Sequence, residues 1–168
     1  GLGDVYKRQT LLWDPLEPMA TRPLALVQDA SLYCYGTDFN KNVTEVFDAQ
    51  GTIAAAYDYS PYGTATRTGR LVQPVQWSGE MHDEESSLVY YNYRYYNPKD
   101  GRWINRDPIA EEGGWNLYAF LGNNPQNKFD ALGLIGIFGL LGGALIDYGF
   151  QVTANYIHCL LYTSPSPR

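Results

Sequence analysis

The side chains of this sequence whose type and spacing could do chemistry are mostly carboxylates. Asp107 lies in the run R-D-P-I at 106–109, and Asp130 opens D-A-L-G-L at 130–134. A carboxylate can act as a general acid or base when its neighbours tune its pKa, or it can cap a turn by accepting backbone N–H bonds. On residue type alone, capping is the ordinary role for both, because aspartate beside proline or glycine is turn chemistry. Asp130 also marks a change of character: tyrosines, charges and turns precede it, and a glycine-dotted apolar run follows. His82, within M-H-D-E-E, reads as a solvated histidine in an acidic turn rather than a metal ligand or base. The stretch D-F-N-K-N at 38–42 carries acids and amides suited to calcium, but Val43 stands where such a loop needs glycine, so it reads as a turn. N-V-T at 42–44 is a glycosylation sequon. There is no phosphate-cradling glycine loop, Ser–His–Asp order or C-x-x-C, and no metal site or other cofactor is expected.

Terminal segments have to be set aside before the fold is read. Residues 1–9 can be encoded by a DNA element whose reverse complement, in another frame, encodes 159–167, so 1–9 and 159–168 are read as translated sequencing adapter. About 10–158 then remains, a piece of a longer protein. Lys7, Arg8 and Arg168 leave together with Asp4, which makes the remainder more acidic than the whole-chain net charge of −6. An acidic segment has no electrostatic footprint for nucleic acid or an anionic membrane. Discounting Cys159 leaves Cys34 alone, hence no disulfide framework and no cysteine metal site.

The elements that must position these acids are mainly β. Asp38, Asp48 and Asp58 recur on a roughly ten-residue beat, separated by turn residues and followed by β-prone ones. That pattern predicts a meander of short hairpins over 10–70, stacked units that cannot bury a face alone. Residues 88–96, L-V-Y-Y-N-Y-R-Y-Y, predict one strand with Tyr91, Tyr93 and Tyr95 on one side and Tyr90, Asn92 and Arg94 on the other. N-P-K-D-G at 97–101 predicts a turn, with R-W-I at 102–104 as the paired strand. Residues 115–121 predict a short helix halted by G-N-N-P. The apolar run over 134–157 is interrupted by Asp147, and its unbroken part is shorter than the roughly twenty residues a membrane span requires. It predicts a helix belonging to a downstream region.

The ordered series R-Y-Y-N-P, G-R-W, R-D-P-I, N-L-Y and D-x-x-G-L, spread over 79–109, 116–125 and 130–134, resembles the Rhs-associated core domain. The Asp-centred beat upstream resembles the YD repeats that precede this core in Rhs/YD-repeat polymorphic toxins. Together they cover nearly everything from Trp13 to Leu134. The resemblance implies terminal YD repeats over 10–70, the core domain over 71–134, and the start of a variable C-terminal toxin or tip region over 135–158. It also implies a β-sheet strip coiled into a hollow shell around that toxin, with the core plugging one end.

In many members of that family the chain cuts itself after a D-P-x-G-L signature. Carried over residue by residue, this makes Asp107 and Asp130 the two catalytic acids and Leu134–Ile135 the scissile bond. Two close carboxylates share a proton, so one can activate water while the other donates to the carbonyl. Arg94, Arg102 and Arg106 are candidates to orient them. The sequence departs from the pattern at Ala131, where the family usually has proline, and at Ala110, where it often has glycine. The implied partners are the chain's own C-terminal toxin, a secretion-system spike and an immunity protein, with a secreted or cell-surface location. The alternatives are a surface shell that is never cut, its tyrosines binding carbohydrate, and an apolar tip that is itself a membrane-inserting effector.

Overall fold

The computed structural model describes residues 9–16, 22–130, 132–134, 137–138 and 159. Six strands form the first sheet: β1 (Gln9–Trp13), β2 (Pro23–Gln28), β3 (Ser31–Thr37), β4 (Val43–Asp48), β5 (Ile53–Tyr59) and β6 (Ala65–Gly69). Each pairs antiparallel with its neighbour in sequence, giving the order β1-β2-β3-β4-β5-β6. The turns are built by the polar residues that punctuate the sequence. Asp48 Oδ1 accepts from the backbone of Gln50 and Thr52, and Asp38 Oδ1 accepts from the Asn42 amide. The 38–42 stretch is therefore a turn closed on itself. Leu26, Tyr35, Val43, Val46, Ala55 and Tyr57 point to one core, which Leu71 and Val75 complete from the segment after β6. Gln73 is buried there with its amide satisfied: it accepts from the Tyr35 hydroxyl and donates to the Tyr57 hydroxyl.

The second sheet holds β7 (Met81–Asp83), β8 (Leu88–Tyr91), β9 (Arg94–Asn97) and β10 (Arg102–Trp103), in the order β10-β9-β8-β7. Here the structure corrects the sequence reading. The stretch 88–96 is a hairpin rather than one strand, turning at Asn92 and Tyr93, with Asn92 at φ +26°. The even alternation of 88–96 is consistent with one continuous strand, but the bulky side chains have a better destination. Tyr91 and Tyr96 both turn inward onto Trp103 and Phe120, in an aromatic core with Trp77, Val89 and Leu121. Edge-to-face and stacked pairs of this kind add to the area they bury. Tyr90 and Tyr95 pair across the hairpin on the solvent side.

Specific bonds stitch the two sheets together. The Ser78 amide donates to Asn42 Oδ1 at 2.7 Å, and the Tyr96 hydroxyl donates to the Tyr62 carbonyl at 2.7 Å. Gly63, at φ +85°, lies flat under the Trp77 indole, where a Cβ would come within 2.4 Å of the ring.

Residues 115–121 do not form the expected helix. The chain turns at Asn116, whose Oδ1 accepts from the Tyr118 amide, and Ala119 then bridges to Arg102. Short 3-10 turns stand at Ala110–Gly113 and Leu121–Asn123 instead. A third, two-stranded sheet pairs β11 (Lys128–Phe129) with β12 (Ile137–Phe138). The start of the apolar run is thus extended, and the helix expected for its remainder lies outside the described residues. No helix among the described residues is long and apolar enough to cross a membrane. Cys34 in β3 is disulfide-bonded to Cys159, with Cα atoms 5.8 Å apart. The expectation of no disulfide is corrected, since it rested on discounting Cys159 as adapter sequence.

Candidate functional site

Arg94 opens β9 immediately after the hairpin turn, and that placement points its side chain inward. Its side chain is only 3% exposed. The guanidinium lies over the Trp103 ring, 4.0 Å from the centroid. Each of its nitrogens has an acceptor. Nε donates to the Gly133 carbonyl, Nη1 to Asp107 Oδ2 at 2.8 Å, and Nη2 to the Leu134 carbonyl at 3.2 Å, with Asp130 Oδ2 at 3.5 Å from Nη2. The planar fork of arginine suits this convergence in a way that the single ammonium of lysine does not.

Asp130 follows β11 directly and organises the turn between β11 and β12. Its Oδ1 accepts from the backbone amides of Leu132, Gly133 and Leu134, at 3.1, 2.8 and 3.1 Å. Gly133 sits at φ +76°, and a Cβ there would lie 2.9 Å from both the Tyr91 backbone oxygen and its Cβ. The tight approach is what brings the Gly133 and Leu134 carbonyls under Arg94. The Tyr93 amide adds a bond to the Leu132 carbonyl at 3.3 Å. Burial pushes the Asp130 carboxyl up, opposed by the three amides and by Arg94. Desolvation in turn lowers the Arg94 pKa against the pull of both aspartates. Asp107 Oδ1 accepts from the Ile109 amide at 3.0 Å, and its own amide donates to the Leu117 carbonyl.

The two acids singled out in the sequence therefore meet, across one guanidinium rather than face to face. Both are buried, at 7% and 4% exposure. Of the three candidate arginines only Arg94 takes part. Arg106 is exposed, and Arg102 is exposed with its guanidinium over Tyr118. Leu134 is half-buried with its carbonyl on Arg94, while Ile135 and Ala131 lie outside the described residues. Ala110 occupies the left-handed region at φ +53°, the conformation that glycine adopts without strain. His82 is elsewhere, lining a cavity of about 420 Å³ with Tyr57 and Arg67. Burial lowers its pKa and favours the neutral ring. Among the described residues no cluster of three or more His, Cys, Asp or Glu could hold a metal.

Sequence reasoning missed Glu80. It is 8% exposed and lies immediately before Met81, which pairs with Tyr90. Nothing in G-E-M-H-D-E-E separates this acid from the solvated ones that follow it, so no local signal could have found it.

No family model matches the chain. The uncharacterised protein YlbH of Escherichia coli K12 is 44% identical over 92 residues, spanning 53% of this chain and 39% of that protein. Double-stranded DNA deaminase toxin A of Burkholderia cenocepacia H111 is 35% identical over 117 residues, spanning 66% of this chain and 8% of that protein. Among solved structures, a chain of the Photorhabdus luminescens Tc holotoxin pore superposes with a TM-score of 0.61 at 26% identity, covering 71% of this chain and 6% of that one. The chain thus spans less than two thirds of these relatives, and under a tenth of the deaminase toxin and the holotoxin chain.

Proposed function

We propose, from the premise that this chain belongs to the Rhs-type polymorphic toxin proteins, that it forms the last repeats and closing core of a toxin-enclosing shell and cuts itself after Leu134. On this reading 10–70 are terminal repeats, 71–134 the core domain, and 135–158 the start of the cargo. The carrying observation is that one guanidinium contacts both acids and the carbonyl of the bond to be cut. Arg94 Nη2 polarises the Leu134 carbonyl and stabilises the negative charge that develops on its oxygen. Asp107 takes a proton from a water molecule as that water attacks the carbonyl carbon. The Leu134–Ile135 C–N bond then breaks, and the proton passes to the leaving nitrogen. Asp130 holds the turn so that the bond stays in place, which raises the effective concentration of the reacting groups. The relatives' toxin names support a secreted or surface location and a toxin as partner.

A second reading, a shell that is never cut, is favoured by the fact that every Arg94 nitrogen already has an acceptor. The same bonds then act as a clamp at the neck. Intact-mass measurement separates the two, on the chain expressed together with its upstream repeats and handled near neutral pH. Mild handling avoids chance scission at Asp107–Pro108 and Asp14–Pro15. Self-cleavage predicts a fragment ending at Leu134 that disappears in Asp107→Asn and Asp130→Asn. An uncut wild-type chain establishes the clamp instead.

A further inference from the structure

Arg94 serves two buried acids, and a third, Glu80, points to a control on the neck. This inference rests on the self-cleavage reading for its functional consequence, though not for its physical basis. We propose that Glu80 is a positioning residue whose carboxyl must carry its proton for Asp130 to remain clamped between Arg94 and the turn that holds Leu134.

The argument begins with charge. Asp107, Asp130 and Glu80 are each under a tenth exposed, and the guanidinium donors go to Asp107, Asp130 and the Gly133 and Leu134 carbonyls. Three ionised carboxylates against Arg94 and the more exposed Lys41 would still leave an excess of negative charge away from water, which proteins avoid by protonating a member of the set. The hydrogen bonds say which. Asp130 accepts three amides and Asp107 one, and both reach Arg94, all of which favour the ionised form. For the Glu80 carboxyl no hydrogen bond is found among the described residues.

Glu80 follows the 3-10 turn Trp77–Gly79, and its backbone is tied on both sides: its amide donates to the Trp77 carbonyl and its carbonyl accepts from Gln76. Its main chain is therefore fixed where the side chain enters the buried site. Glu80 immediately precedes Met81, whose pairing with Tyr90 sets it beside Tyr91, and Tyr91 in turn pairs with Arg94 and packs on Gly133 of the Asp130 turn. The charges acting on it are those of Asp130, from the β11–β12 connection, and Lys41, from the turn before β4. Burial first, then the Asp130 charge, push the Glu80 carboxyl up to about 8, with Lys41 opposing. Above that pH, Glu80 gains a charge that repels Asp130 and loosens the turn that presents Leu134. The neck is thus set while acid or neutral and slackens in alkali.

The test follows the cleaved fraction by intact mass from pH 6 to pH 9 in wild type and Glu80→Gln. Wild type should cleave about tenfold more slowly at pH 9 than at pH 6, as expected one unit above the pKa of an essential acid. Glu80→Gln, a permanent mimic of the protonated form, should lose that alkaline fall. An unchanged alkaline fall in Glu80→Gln overturns the proposal. If wild type does not cleave at any pH, self-cleavage has failed, and thermal unfolding then decides the Glu80 question alone. The Tm advantage of Glu80→Gln over wild type should grow between about pH 4.5 and pH 8, and a constant difference overturns the proposal. Should Glu80→Gln not fold, a ¹³C carboxyl titration of the glutamate-labelled wild-type chain replaces it. One resonance should then titrate near pH 8, and ordinary values for all of them overturn the proposal.

Discussion

Arg94 concentrates more of the site's energetics than either aspartate. Removing it leaves two buried carboxylates without their cation, a change that typically costs about 3–5 kcal/mol. Arg94→Ala should therefore lower Tm by on the order of 10 °C for a chain of this size, measured by thermal unfolding. Arg94→Lys should retain part of the stability yet not the proposed cleavage, because one ammonium cannot reach Asp107, Asp130 and the Leu134 carbonyl together. Ala110 offers a test with the opposite sign. Its φ of +53° strains an alanine, and the residue is exposed, so nothing in the packing opposes its replacement. Ala110→Gly should raise stability by about 0.5–1 kcal/mol, the relief of the strain exceeding the entropic cost of glycine, read from chemical denaturation. Glu80 shows the direction of linkage in this site. Its folded pKa, about 8, stands above the ordinary carboxylate value of 4.5. The folded state therefore keeps a proton that the unfolded state has released, and stability falls as pH rises through that window. The two aspartates were legible because each sits in a motif. Arg94 was legible only as one of three arginines, since choosing among them needs the inward turn of β9. Glu80 was not legible at all, because its chemistry comes from burial that no neighbour in sequence announces.

The element that makes the site is the β8–β9 hairpin. Continued as one strand, 88–96 would have placed Arg94 on the same face as Tyr90. The turn at Asn92 and Tyr93 instead reverses the chain and sends Arg94 and Tyr96 inward. Period-two alternation is equally compatible with a long strand and with two short ones. What decides is the aromatic core that Trp77, Trp103 and Phe120 assemble from distant parts of the chain. The repeat region was more readable, since its turns carry their own chemistry in Asp48, Ser60 and Gly63. The helix expected over 115–121 failed for a related reason: apolar residues suggested a helical face, while Asn116 claimed the Tyr118 amide locally. The turn opposite the hairpin depends on Gly133. Gly133→Ala forces a Cβ to 2.9 Å from the Tyr91 backbone at a φ that alanine resists. It should displace the Leu134 carbonyl from Arg94 and abolish the proposed cleavage, scored by intact mass, while leaving the far-UV circular dichroism of the two larger sheets unchanged.

At the scale of the molecule, two cores share Tyr59, which packs against both. The Cys34–Cys159 bond lies apart from both, beside Leu24 and Ala25. Neither of those cores includes the bond. Cys34→Ala should then keep the β-sheet circular dichroism and lose at most the roughly 5 kcal/mol that closing so long a loop supplies. Mainly-β class and the meander were legible because each hairpin signals itself locally. How the second sheet packs on the first was not, because Asn42 to Ser78 and Tyr62 to Tyr96 are contacts between segments far apart in sequence. The strand order β1-β2-β3-β4-β5-β6 carries a consequence for how such proteins change over generations. With no crossover to rethread, a genetic duplication or loss of one hairpin alters only the length of the sheet. On the shell reading proposed above, that would resize the enclosure for a larger or smaller passenger and leave the turn clamped by Arg94 as it is.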